Sequence, residues 1–324
     1  MSIKESITEV IGYEMESFNK TLADTLSTDN VLLKSIIDYY LQTKGKQIRP
    51  MLVILSSRLF GEVNENTLSA AVAVELLHNA SLIHDDVVDS SPLRRGRKTV
   101  NNLWDNRVAV LVGDYFVSTA LQSAIKSNNL DTISLIAALG KELATGEISQ
   151  IETADDHILD EKRYFNVIKQ KTASLFSSCM LMGGYSNGAN QEQLKAVETF
   201  GEKLGLCFQI KDDIFDYTPN AQIGKPTLND IREGKFTLPL IHALESIHAN
   251  EASLILDAVK KRQFTEDFFY NIGSLVARTG GIEYAEQRMA YYKVEAENAL
   301  SIFPDNEIKQ ALLNLLEFTI QRKK

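Results

Sequence analysis

An Asp-Asp-x-x-Asp cluster set among apolar residues is costly to fold, and this sequence carries two. The first is Leu82-Ile83-His84-Asp85-Asp86-Val87-Val88-Asp89, the second Gln209-Ile210-Lys211-Asp212-Asp213-Ile214-Phe215-Asp216. On a helix, residues four apart share a face. Asp85 therefore aligns with Asp89, and Asp212 with Asp216. Like charges this close oppose one another's ionisation unless something neutralises them. The flanking Leu82, Ile83, Val87, Val88, Ile210, Ile214 and Phe215 place both clusters on largely buried helices. A hard divalent cation resolves the conflict, because Mg²⁺ takes one or two carboxylates and completes its shell with water and substrate phosphates. One cluster alone reads equally well as a solvated acidic surface. The repeat at the same spacing moves the reading to two helices facing one another across a metal-filled mouth.

The rest of the chain reads as helix. Val10, Ile11, Met15 and Phe18, then Leu32, Leu33, Ile36, Ile37 and Tyr40, recur at helical spacing and predict two helices over residues 1–42. Further helices are expected over 67–89, 108–125, 131–151 and 193–217. Residues 90–98 read as a polar loop, and 152–160 as a solvated connection. Length alone suggests about two domains. However, with 6 Pro and 17 Gly in 324 residues there is no linker to mark a boundary. One all-α domain over 1–324 is expected, with 44% hydrophobic residues to fill its core.

Lys+Arg 34 against Asp+Glu 43 gives a net charge of −9, which argues against a nucleic-acid partner. Local basic clusters remain able to bind anionic substrates. Cys179 and Cys207 make no disulfide framework and read as buried packing residues. The first residues, Met1-Ser2-Ile3-Lys4-Glu5-Ser6, lack a secretory pattern. No uninterrupted apolar run approaches ~20 residues, so no membrane span and a cytoplasmic protein are expected.

The cations follow an order. Lys46 and Arg49 stand at a loop-to-helix junction just before Pro50, which suits a helix start. A helix N-terminus presents free amides to a diphosphate, although locally the two also read as solvated cations. His78 lies seven residues before Asp85, on nearly the same face. Arg94 and Arg95 follow the first acidic cluster at once. They read either as internal charge balance or as planar forks for phosphate. Lys225 and Lys235 each follow a glycine in the loop after the second cluster, and suit closure over an anion. Arg322-Lys323-Lys324 reads as a frayed terminus.

Together with Gly45-Lys46-Gln47-Ile48-Arg49-Pro50, Arg94-Arg95-Gly96-Arg97, Gly113-Asp114, Gly146-Glu147, Lys171-Thr172, Gly224-Lys225-Pro226 and Gly234-Lys235, the paired clusters resemble the trans-isoprenyl diphosphate synthase family from about Gly45 to Pro239. The resemblance implies a helical bundle around a deep central cavity, and a homodimer. It also implies Mg²⁺-dependent head-to-tail (1′-4) condensation of isopentenyl diphosphate onto an allylic diphosphate, with three ions per site. Carried over residue by residue, Asp85, Asp89 and Asp212 hold metal. Lys46, Arg49, His78 and Arg95 serve isopentenyl diphosphate. Arg94, Lys171 and Lys225 serve the allylic diphosphate, Thr172 steadies a carbocation, and Gln209 and Lys235 complete the substrate set. Asp85, Asp89, Arg94, Lys171 and Asp212 carry the catalytic step.

Counting back from Asp85 by helical turns gives Ser81, Leu77 and Val74 beside the growing chain, with Ala80 adjacent. Val74 lies ~16 Å below Asp85. Members with short products place bulky aromatics just before the first cluster, whereas Ala80 and Ser81 are small. A long product is expected, about C30 to C50 and octaprenyl foremost, of the kind used as a quinone tail. Ile136 or Leu139 are candidates for a deeper floor. The alternatives are a short-chain farnesyl or geranylgeranyl synthase, a class I terpene cyclase and a non-catalytic subunit. A cyclase replaces the second cluster with an Asn/Ser/Glu pattern, and a non-catalytic subunit usually loses one cluster. This chain keeps both.

Overall fold

The structure is a computed structural model that describes residues 3–42, 45–156, 159–218 and 228–322. In chain order the helices are α1 (Ile3–Thr25), α2 (Val31–Leu41), α3 (Ile48–Arg58), α4 (Glu65–Val88), α5 (Val100–Leu103), α6 (Asn106–Lys126), α7 (Leu130–Asp156), α8 (Glu161–Ile168), α9 (Ser174–Ser186) and α10 (Gln191–Tyr217). They continue as α11 (Asn229–Arg232), α12 (Leu238–Glu245), α13 (Ala249–Lys260), α14 (Glu266–Arg278), α15 (Gly281–Ala299) and α16 (Glu307–Gln321). Among the described residues the only strands are the two-residue pair β1 (Leu93–Arg94) and β2 (Arg97–Lys98). The expected all-α class is what the chain adopts.

Local chemistry sets the helix starts. Asn30 Oδ1 accepts from the Leu33 amide at 3.0 Å to open α2. Asn64 and Thr67 form a reciprocal capping box at α4. Asp105 and Asp160 cap α6 and α8 by accepting from the Val108 and Lys162 amides.

The chain divides into two compact units. The first comprises Met1–Lys141, Phe176–Glu198 and Ile302–Asn314; the second comprises Glu142–Leu175, Thr199–Ser301 and Leu315–Lys324. The first acidic cluster belongs to the first unit and the second cluster to the second.

In the first unit α4 is the central element and packs on α6, α3 and α1. α4 buries Ala70, Ala71, Ala73 and Ala80, and α6 buries Ala109, Val112, Phe116, Ala120 and Ala124. In the second unit α12 packs on α15, α14 and α8. It buries Leu238, Leu240, Ile241 and Leu244. Cys179 and Cys207 are buried, as expected, and burial pushes both thiols up to about 12.

Two local expectations are corrected, and one segment departs from regular α-helix. Residues 90–98 are not simply a loop. Arg95 (φ 52°) and Gly96 (φ 76°) take consecutive left-handed conformations, which close β1 onto β2 as a tight hairpin. Residues 152–156 continue α7 instead of forming a connection, because the stretch contains neither Gly nor Pro to stop it. Lys169–Ala173 is a π-helical segment between α8 and α9. Such segments add one residue to a turn, and composition does not signal them.

By length and composition α6 is apolar enough to cross a membrane. Counting uninterrupted runs misses it because Asp114, Ser118 and Thr119 break the stretch. One side of α6 is packed on α4, while Val110, Leu111, Leu121 and Ile125 form an exposed apolar stripe.

Candidate active site

The last turns of α4 present the first cluster. The Asp89 amide donates to the Asp85 carbonyl at 2.8 Å, which keeps the two carboxylates one turn apart in helical register. Asp85 is half-buried and Asp89 is exposed. Asp86 is different: it is 6% exposed, and Arg94 Nε donates to its Oδ1 at 2.8 Å. Burial raises the Asp86 carboxyl above its usual range, and the Arg94 guanidinium pulls it back. The internal charge balance considered for Arg94 is therefore present.

Arg95 goes elsewhere. Its guanidinium lies where a side chain at position 45 would be. A larger residue at position 45 would require the Arg95 side chain to move. Glu75, Asn79, Asp86, Arg94 and Arg95 line one cavity of ≈ 300 Å³ together with Gly45 and Gln47. Lys46 is exposed beside this cavity wall. Arg49, in the first turn of α3, stands 5.6 Å over the Phe176 ring. His78 is buried, and burial together with Arg49, Arg95 and Arg94 holds its pKa well below the ordinary value. His78 is thus a neutral imidazole, able to donate or accept one hydrogen bond without adding a fourth positive charge.

The predicted length residues separate into two groups. Val74 and Ala80 are fully buried and Leu77 is buried at 6% exposure. Ser81 is partly accessible, and its hydroxyl donates to the His78 carbonyl at 2.8 Å. Leu77, Ser81, Asp85 and Asp89 fall on one helical stripe. Leu77 Cδ1 lies 3.9 Å from the missing Cβ of Gly140 on α7, and Ile136 and Leu139 are buried nearby in sequence.

The second unit gathers another set. Lys171, Thr172, Gln209 and Lys235 line a cavity of ≈ 220 Å³ with Tyr164, Asp213 and Asp230. A hydrogen-bond relay crosses it. The Thr172 hydroxyl donates to Gln209 Oε1 at 2.8 Å, Gln209 Nε2 donates to Asp213 Oδ1 at 2.9 Å, and the Tyr164 hydroxyl donates to Asp213 Oδ2 at 2.6 Å. Lys171 pairs with Glu147 and donates to Gln150 Oε1 at 3.0 Å. Lys235 pairs with Glu233 at 2.5 Å. Asp216 is spent on the amides of Asn229 and Asp230, both at 3.0 Å. Burial and the Asp216 charge push Asp230 up to about 7. Lys225, also assigned to the site, lies outside the described residues, as do Gly224 and Pro226.

The terminus is not frayed at Arg322. Its Nη2 donates to Asp212 Oδ1 at 2.8 Å and to the Phe208 carbonyl at 2.9 Å, and its guanidinium stacks 4.1 Å over the Phe208 ring. Sequence reading missed this residue, together with Tyr164, Asp230 and Glu75. Only Glu75 carried a visible signal, as the single charge within the apolar run Ala70–Leu77.

Among the described residues no three His, Cys, Asp or Glu side chains converge as a closed metal cage. The donor chemistry fits Mg²⁺ nonetheless. Asp85 and Asp89 offer two hard carboxylates, one half-buried and one in solvent, and Mg²⁺ binds through one or two carboxylates while keeping places for water and phosphate.

The model of the polyprenyl synthetase family matches residues 30–271. Octaprenyl diphosphate synthase of Haemophilus influenzae is 35% identical over 326 residues, covering 99% of this chain and 98% of the relative. Among solved structures, decaprenyl diphosphate synthase of Rhodobacter capsulatus superposes with a TM-score of 0.93 at 32% identity, over 98% of both chains. Geranylgeranyl pyrophosphate synthase of Bacteroides thetaiotaomicron superposes with a TM-score of 0.85 at 38% identity, also over 98% of both.

Proposed function

Because the chain belongs to the polyprenyl synthetase family and is a prenyltransferase, we propose that it joins isopentenyl diphosphate head-to-tail onto an allylic diphosphate and repeats the step to a long all-trans product. Octaprenyl is the length assigned, as the side chain of a quinone. The observation that carries the length is the stripe below Asp85. Ser81 is small and partly accessible, and Leu77 one turn further faces a glycine. The residues one and two turns before Asp85 on this stripe, Ser81 and Leu77, are not aromatic.

Lys46, Arg49 and Arg95 bind the diphosphate of isopentenyl diphosphate, and neutral His78 adds a hydrogen bond without competing charge. Arg94, Lys171, Lys225 and Lys235 bind the allylic diphosphate and offset the charge that develops as its carbon–oxygen bond breaks. Asp85, Asp89 and Asp212 would hold Mg²⁺, which would supply Lewis-acid stabilisation of the leaving diphosphate. The Thr172 and Gln209 oxygens face the allylic cation. The isopentenyl double bond attacks that cation, and the departing diphosphate takes the proton released. The exposed α6 stripe supports a homodimer, since a contiguous apolar face of that kind marks an interaction surface.

A second reading, a geranylgeranyl-length product, is favoured by the 38% identity to the Bacteroides thetaiotaomicron enzyme. The activity itself is tested by incorporation of labelled isopentenyl diphosphate with and without chelator. EDTA is expected to abolish incorporation, and excess Mg²⁺ to restore it. Incorporation that persists in EDTA contradicts the metal assignment.

A further inference from the structure

The hairpin of β1 and β2 carries three cations, Arg94, Arg95 and Arg97, and its strands are two residues each. An isolated two-stranded ribbon is marginal in water. Its register sets Arg94 directly opposite Arg97, and like charges so placed weaken the pairing. What packs on each side of the hairpin therefore decides where its arginines point. Asp86 holds Arg94 to α4. Arg97 takes no part in the chemistry proposed above.

The end of α2 holds the other strand. The Tyr39 hydroxyl donates to the Lys98 carbonyl of β2 at 2.7 Å. The Arg97 guanidinium lies over the Tyr39 ring, 4.4 Å from its centre, a cation–π contact. Arg97 Nη2 also donates at 3.1 Å to Oε1 of Gln42, the C-cap residue of α2. Trp104 packs on Tyr39 at 71°, with ring centres 5.5 Å apart, which fixes the ring that Arg97 covers. Gly45, Lys46 and Arg49 follow Gln42 closely in the chain, and the Arg95 guanidinium lies against Gly45. Tyr39, Gly45, Arg95 and Arg97 line the same ≈ 300 Å³ cavity. The hairpin is thus joined to the stretch of chain that carries Lys46 and Arg49.

We propose that Arg97 is a positioning residue. With Tyr39 it holds the hairpin against the end of α2, and so keeps Arg95 directed at the diphosphate that Lys46 and Arg49 bind, that of isopentenyl diphosphate. The inference rests on the function proposed above. Arg94 has a separate anchor in Asp86, so the allylic diphosphate keeps its cation when the α2 contact is lost. The defect is therefore confined to one of the two substrates.

The test is steady-state kinetics of Arg97→Gln and Tyr39→Phe. Arg97→Gln removes the contact with the ring, and KM for isopentenyl diphosphate is expected to rise about tenfold. Tyr39→Phe removes only the bond to β2 and changes no charge, and the same KM is expected to rise about fivefold. KM for the allylic diphosphate and kcat stay close to wild type in both. Arg97→Lys keeps a cation over the ring without the planar fork, and is expected to recover part of the affinity. A rise in Arg97→Gln with none in Tyr39→Phe overturns the proposal, because Arg97 then acts on the substrate through its own charge. An equal rise for both substrates also overturns it, since general loss of structure gives that result. A wild-type protein that incorporates no isopentenyl diphosphate overturns the parent function and this inference with it. A wild type that elongates while both variants keep its KM overturns this inference alone.

Discussion

Asp85→Ala is expected to slow isoprenyl transfer by about three orders of magnitude, ~4 kcal/mol of transition-state stabilisation, while the thermal midpoint moves little. The two effects separate because of where the side chain stands. Asp85 is half-buried at the end of α4 and fills no core volume. Alanine is the better helix former, and removing one of three crowded carboxylates relieves repulsion among those that remain. The Asp86–Arg94 pair, which ties the hairpin to α4, stays intact. On the proposed assignment, what is lost is one of the three carboxylates that would hold Mg²⁺. Turnover and a thermal melt on the same preparation check this. Wild-type turnover in the variant sinks the metal assignment. A large fall in the melting midpoint shows that Asp85 is structural.

Ser81→Phe is expected to convert a long-chain product to one of farnesyl or geranylgeranyl length, with the first condensation retained. Ser81 lies one turn, ~6 Å, below Asp85 on the accessible stripe of α4. A phenyl ring there stands across the path before Leu77 and Gly140 are reached. The loss of the Ser81 hydroxyl removes only a bond to the His78 carbonyl one turn back, on a helix whose backbone ladder persists. Chromatography of the dephosphorylated products gives the answer. An unchanged product means that the growing chain runs along another wall.

The sequence made legible those features that depend on short-range spacing. The Asp clusters, the cations in order around them, the helical class and the buried cysteines all follow from residues within a few positions of one another. The burial of α4 follows too, since a helix lined with alanines needs close neighbours.

What escaped depends on long-range pairing. Arg322 reaches Asp212 across 110 residues of sequence, and a basic tail gives no local sign of having a carboxylate to meet. Arg94 and Arg95 are adjacent and chemically alike. The hairpin turn sends one to Asp86 and the other over Gly45, which composition cannot distinguish. The π-helical segment carrying Lys171 and Thr172 has ordinary helical residues, so its extra residue is invisible before folding. Helical counting alone places Val74 beside the growing chain, with Ala80 adjacent, and both are buried. Counting gives direction around one helix but not which neighbour has already filled the space.

The most direct test of the central claim is the size of the product. Purified protein is incubated with labelled isopentenyl diphosphate, farnesyl diphosphate and Mg²⁺, and the dephosphorylated products are separated by length. The account predicts a ladder that ends at a long all-trans polyprenol, about C30 to C50, with octaprenol as the main band. A product that stops one unit beyond the primer, or no elongation from any allylic primer, contradicts it.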